Sequence, residues 1–266
     1  MAEIVANGVR LHVQRLTPRH RPSQPEPPIV FVHGLRFDNL SSFYYTLANP
    51  LAQTGAEVIL YDLRGHGLSE RPPTGYRMSD SVADLAALLD ALGIDGPVHL
   101  VGNSYGGTVA LSFAAAHPNR VASMVLIEAH FSVVGWAEQV AAEQSRLEIV
   151  LAREDLRGWH DQLGRKVTRL AEMADDLLNR TTFLADLKTA QPIPMSRVRT
   201  LTFPVRAVYG EHSDVVGYAR DLDEYLPHCV LTVLAGCGHS VVKDAAAPLR
   251  EIVLDWFAEQ VRVGVR

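Results

Sequence analysis

Directly after the mostly apolar run Val98-His99-Leu100-Val101, the chain reads Gly102-Asn103-Ser104-Tyr105-Gly106-Gly107, and a second apolar stretch resumes over Thr108–Phe113. A buried-strand pattern that breaks at Gly-x-Ser-x-Gly and continues with helical character predicts strand, sharp turn, helix. Few other features restrict a chain so tightly. The turn needs glycines at 102 and 106 so that the strand and helix backbones can pass closely, and it projects the Ser104 hydroxyl outward. The helix N-terminus behind it offers N–H groups and a field favourable to negative charge. By itself the pattern also fits a glycine turn with a surface serine, so the partners of Ser104 decide.

Two downstream loops supply candidates. The strand-like run Val205-Arg206-Ala207-Val208-Tyr209 ends in Gly210-Glu211-His212-Ser213-Asp214. A second run, Val230–Leu234, ends in Gly236-Cys237-Gly238-His239. Each puts a polar side chain in the loop past a strand's C-terminal end, where open parallel sheets build their sites. The chain order is Ser, Asp, His.

Upstream stand Phe31-Val32-His33-Gly34-Leu35 and Tyr61-Asp62-Leu63-Arg64-Gly65-His66-Gly67-Leu68-Ser69. With these five motifs in this order, the chain resembles the α/β-hydrolase superfamily over essentially its full length. The resemblance implies an α/β fold: a mostly parallel central sheet flanked by helices, with a helical cap inserted. It implies Ser104, Asp214 and His239 as catalytic triad, and the backbone N–H groups of Leu35 and Tyr105 as oxyanion hole. Glu128, which ends the strand after the elbow helix, is a rival for the acid, because some relatives take it from that location. His33 and His66 belong to signatures that mainly shape loops. His212 fits neither the loop order nor the glycine setting of His239, and Cys237 reads as a small packing residue.

Alternating strand and helix patterns fit this fold. Val9–Val13 alternates like an early antiparallel strand, and 19–28 is a proline-rich loop. Ile29–Val32, Glu57–Tyr61 and Val121–Ile127 read as strands, and Phe43–Ala52 and Ser81–Leu92 as helices. Between about residues 130 and 199 the alternation stops. Trp136–Arg153 and Asp155–Leu178 are helix-like and densely charged, which predicts a cap spanning 130–199 between core segments 1–129 and 200–266. Arg146, Arg153, Arg157, Arg165, Lys166 and Arg169 fit an anionic handle such as a phosphopantetheine or coenzyme A phosphate. The interleaved Glu143, Glu148, Glu154, Asp155, Asp161 and Glu172 make a solvated helical face the plainer reading. Arg36 and Phe37, beside an oxyanion donor, are candidate substrate contacts under that cap, as is His33.

Composition bounds the function. A chain of 266 residues with 47% hydrophobic and 21% charged content suits a single globular α/β domain. A net charge of −5 gives no electrostatic reason to expect nucleic acid or an anionic membrane as partner. Cys229 and Cys237 form neither a disulfide framework nor metal-ligand spacing, and no leader pattern opens the chain, so a cytoplasmic setting is the simplest expectation. No motif calls for a cofactor or metal. Serine at the elbow argues against the epoxide hydrolase and haloalkane dehalogenase branches, which use aspartate there. Four readings of the resemblance remain. The first is an ester or thioester hydrolase, with a carrier-protein or coenzyme A thioester among the fitting substrates. The second is a carbon–carbon bond hydrolase, since Gly-Asn-Ser-x-Gly-Gly is similar to the elbow of the meta-cleavage product hydrolases. Leu35-Arg36-Phe37-Asp38-Asn39 departs from the glycine-rich stretch those enzymes carry after His-Gly. The third is a cofactor-free perhydrolase or haloperoxidase-like enzyme, and the fourth a non-catalytic ligand receptor.

Overall fold

The near-continuous apolar runs of the sequence become central strands covered on both faces, as parallel strands must be. In the computed structural model, which describes residues 2–18, 26–35, 38–130, 173, 175–226 and 228–264, eight strands form one sheet. These are β1 (Ala2–Ala6), β2 (Val9–Leu16), β3 (Ile29–Val32), β4 (Val58–Tyr61), β5 (Val98–Asn103), β6 (Val121–Ile127), β7 (Val205–Gly210) and β8 (Cys229–Leu234). Their spatial order is β1-β2-β4-β3-β5-β6-β7-β8. The β1–β2 and β2–β4 pairings are antiparallel, and all pairings from β4 through β8 are parallel. The predicted fold class is the one observed.

β1 was not anticipated. It pairs with β2 through a two-residue turn in which Asn7 and Gly8 both take positive φ, +49° and +74°. That is the signature of a type I′ hairpin, for which Asn-Gly is the favoured sequence. The predicted helix 43–52 is a composite: a turn at Ser41–Phe43, a π-helical stretch at Tyr44–Ala48, then an α-helix at Asn49–Gln53. Pro50 has no N–H to donate and sits in the first turn of that α-helix, where none is needed, while the Asn49 N–H reaches back five residues to Tyr44 O. The helix predicted at 81–92 runs from Met78 to Ala91. It starts earlier because Asp80 accepts the Arg77 backbone N–H at 2.9 Å, half of a capping box.

Helices cover both faces. On one side, Leu85, Leu88 and Leu89 join Val109, Leu111 and Phe113 of the helix Tyr105–Ala116 against β3 and β5. On the other, Leu249, Val253, Trp256 and Phe257 line one stripe of the C-terminal helix Ala246–Gly264, at the spacing an amphipathic helix needs. Of the expected cap, the helix Phe183–Lys188 buries Phe183 and Leu187. Phe183 packs its ring 5.8 Å from Tyr76, and the Asp186 carboxylate accepts the Tyr76 N–H at 3.0 Å. The helices expected at 136–153 and, up to residue 172, at 155–178 lie outside the described residues, with the six basic side chains they carry. Arg36 and Phe37 lie outside them too.

Candidate active site

Ser104 is the first residue past β5, and it sits at φ +51° and ψ −119°, a conformation L residues rarely adopt. The chain tolerates it because the neighbours are glycines packed to backbone distance. A Cβ on Gly102 would lie 2.6 Å from the Gly107 Cα, and one on Gly106 would lie 2.0 Å from the Val32 carbonyl oxygen. The Ser104 N–H donates to Ile127 O at 2.8 Å, tying the turn to β6. The helix Tyr105–Ala116 starts immediately behind the serine.

His239 comes to Ser104 from the loop after β8, with Nε2 3.0 Å from Ser104 Oγ. Two carboxylates face its other nitrogen. Glu128 Oε2 lies 3.1 Å from Nδ1, on a side chain with no exposure. Asp214 Oδ1 lies 3.5 Å away, on a side chain 61% exposed. The three residues of the expected triad are thus brought together, and Glu128 joins them.

The oxyanion segment follows β3. His33 is fully buried: the Leu63 N–H donates to its Nε2 at 2.9 Å, so Nδ1–H donates to Gly34 O at 2.7 Å. With both ring nitrogens bonded to main chain, His33 holds the oxyanion loop in place. Asp38 was missed in the sequence, where it reads as one more polar loop residue. Its Oδ2 accepts the Gly34 N–H at 2.7 Å and its Oδ1 the Asn39 N–H at 2.9 Å. The Asn103 amide lies 3.5 Å from the same Oδ2, which links the oxyanion loop to the elbow. Tyr105 is buried, with its hydroxyl 3.2 Å from Ser81 Oγ, and burial pushes its phenol up to about 12.

The other singled-out residues support the frame. His66 donates its Nδ1–H to Arg64 O at 2.9 Å and packs edge-on to His33, and burial depresses it to about 4. His12 pairs with Asp62 at 2.9 Å, while Asp62 also accepts the Leu40 and Leu68 N–H groups at 2.8 Å each. His212 is exposed and faces Glu211 at 3.8 Å. Cys237 is buried in its turn, its thiol 3.3 Å from Leu234 O, and burial raises its pKa. His130, also missed in the sequence, has its ring 6.0 Å from that of His239 and is lowered to about 4 by burial and the neighbouring imidazole.

Residues 27–246 match the α/β hydrolase fold family, so the chain belongs to that family. Over 97% of its length it is 26% identical to a 2-hydroxymuconate semialdehyde hydrolase of Pseudomonas sp. strain CF600, covering 93% of that protein. It is 41% identical over 107 residues to a non-heme chloroperoxidase of Streptomyces lividans, a match over 38% of this chain that spans 36% of the relative. Its fold matches the enol-lactonase from Burkholderia xenovorans LB400 with a TM-score of 0.73 at 20% identity, covering 97% of this chain and all of that one. The family and the names of these relatives support a hydrolase that acts on small molecules. Among the described residues, no helix is long and apolar enough to cross a membrane.

Proposed function

We propose that this chain is a serine hydrolase that cleaves a carboxylic ester or thioester through an acyl-enzyme on Ser104. The observation that carries the reading is the 3.0 Å approach of His239 Nε2 to Ser104 Oγ at a strained elbow. A serine hydroxyl is a weak nucleophile near neutral pH and needs a base within hydrogen-bond reach. His239 takes the Oγ proton as Oγ attacks the carbonyl carbon, and a carboxylate on Nδ1 stabilises the imidazolium. The N–H groups of Leu35 and Tyr105 take the oxyanion, each such donor contributing about 3–4 kcal/mol to the transition state. His239 then protonates the leaving alkoxide or thiolate. Water, deprotonated by the same imidazole, cleaves the acyl-enzyme and regenerates Ser104.

A second reading, carbon–carbon bond hydrolysis, is favoured by the elbow Gly102-Asn103-Ser104-Tyr105-Gly106-Gly107 and by the near-full-length likeness to the semialdehyde hydrolase. Asp38 weighs against it, because its carboxylate fills the segment where a run of glycines would stand. The test is fluorophosphonate labelling, with kinetics on p-nitrophenyl esters, acyl-N-acetylcysteamine thioesters and a vinylogous diketone. Labelling should map to Ser104 and vanish in Ser104→Ala with thermal unfolding unchanged. An adduct on Ser213 or Ser240 would overturn the nucleophile, and turnover of the diketone alone would establish the second reading.

A further inference from the structure

We infer that Glu128 is the carboxylate that positions His239, and that Asp214 is its solvent-facing neighbour with a lesser share of the work. The inference rests on the reading of Ser104 and His239 as nucleophile and base, and three observations carry it.

Backbone strain comes first. Among the described residues the non-glycine positions with positive φ are Asn7, Ser104 and Glu128. Asn7 is a hairpin turn, whereas Ser104 and Glu128 are each the first residue beyond adjacent parallel strands, since Asn103 pairs with Ile127. Glu128 at φ +53° shares the positive φ of the elbow serine one strand over. A long side chain in that region is unfavourable and persists where the surroundings over-determine it, which happens chiefly at functional sites. Here the Glu128 N–H donates to Val208 O at 3.0 Å, and the Tyr209 hydroxyl donates to Ala129 O at 2.7 Å.

The second observation is how the carboxylate is held. Oε1 accepts the Gly210 N–H at 2.5 Å, and Oε2 accepts the Ser213 hydroxyl. The Val215 N–H in turn donates to Ser213 Oγ at 3.2 Å, which fixes that hydroxyl's proton on Glu128. The Gly210 and Ser213 donors orient the carboxylate and hold Oε2 toward the imidazole. Ser213 Oγ is 3.5 Å from His239 Nδ1, but its own proton is committed, so the Nδ1–H has Glu128 Oε2 as its nearer acceptor at 3.1 Å.

The third is dielectric. A charge pair screened by protein is far stronger than one facing water. Glu128 is wholly covered, whereas Asp214 is mostly exposed and farther from Nδ1. When Ser104 gives its proton to Nε2, Nδ1 keeps its own proton, directed at Glu128 Oε2. No proton passes to the acid.

The experiment compares Glu128→Gln with Asp214→Asn. In E128Q the amide turns an N–H toward Nδ1, so the imidazole proton moves to Nε2 and the ring can no longer accept from Ser104. The rate of fluorophosphonate inactivation should fall about 10⁴-fold, as for a triad carboxylate made amide, and in D214N by less than tenfold. A readout that needs no substrate accompanies it: the far-downfield proton resonance of the His239 Nδ1–H, assigned by its loss in His239→Gln. It should persist in D214N and disappear in E128Q. Equal losses of rate in the two variants, a larger loss in D214N, or persistence of the resonance in E128Q overturns the inference. If E128Q is insoluble, D214N decides alone, since loss of the resonance there overturns it and retention supports it. Wild-type protein left unlabelled at Ser104 would count against the nucleophile, while the resonance would still report which carboxylate faces His239.

Discussion

Replacing Gly106 with alanine tests whether the elbow's geometry, and not only its serine, carries the chemistry. The added Cβ would stand 2.0 Å from Val32 O and 2.5 Å from His33 O, both backbone atoms of β3 and the oxyanion loop. Ordinary contact starts near 3.4 Å, so the helix start and the loop must part by about 1.4 Å. No rotamer change can absorb this, because neither partner is a side chain. Gly106 immediately follows Tyr105, and Leu35 follows His33-Gly34, so the displacement opens the gap between the two expected oxyanion donors. Misplacing a catalytic group by about 1 Å costs on the order of 100-fold, and losing one oxyanion donor costs about 10²–10³. We expect kcat/KM on a p-nitrophenyl ester, and the fluorophosphonate inactivation rate, to fall by roughly 100-fold or more. Overpacking should also lower stability by about 1–3 kcal/mol, read by urea unfolding followed by tryptophan fluorescence. A G106A enzyme that labels within threefold of the wild-type rate would refute the argument that the close approach sets the oxyanion hole.

Two further predictions concern stability. Arg64 and Asp84 form a buried pair, at 2.5 Å between Nη2 and Oδ1 and with side chains 6% and 1% exposed, so Asp84→Ala leaves a guanidinium without its counter-charge. Removing one partner of such a pair costs about 3–5 kcal/mol, which calorimetry should show as a Tm roughly 10 °C lower. Burial holds His66, His99 and His130 at about 4 in the folded protein. The unfolded chain therefore binds protons between roughly pH 6.5 and 4 that the native state does not, so stability falls as pH drops through that window, by on the order of 3 kcal/mol per group at the limit. Urea midpoints at pH 7 and pH 5 should differ accordingly, and the difference should shrink in His99→Gln; a pH-independent midpoint would contradict the assignment of these imidazoles as buried and neutral.

Much of the fold was legible because its signals are local. Largely apolar runs of four to seven residues flanked by proline or polar residues marked the parallel strands, and the elbow was readable because glycine is needed at positions fixed relative to Ser104. What escaped was mostly set by residues far apart in sequence. Asn7 and Gly8 were an exception, a local hairpin signal passed over. Pro50 also stood in plain sight, but the π-helical stretch it accompanies depends on how Tyr44–Ala48 packs, and no periodicity reports that.

The acid shows most clearly where sequence order stops informing. Asp214 and Glu128 each follow a strand and each reach His239, so chain order and loop context admit both. The discriminating facts are three-dimensional: Gly210, Ser213 and His239 converge on one carboxylate from β7 and two separate loops. Ser213 is informative here, since in the sequence it is only the residue before the expected acid. In the fold its hydroxyl turns away from that neighbour and toward Glu128, across 85 positions of chain. The strained φ at Glu128 follows from the same convergence. From the end of β6, one strand away from the elbow, Glu128 at φ +53° brings its carboxylate to 3.1 Å from Nδ1 of His239. Two neighbouring strands thus each lead into a residue with positive φ, one presenting a hydroxyl and the other a carboxylate to opposite nitrogens of a single imidazole.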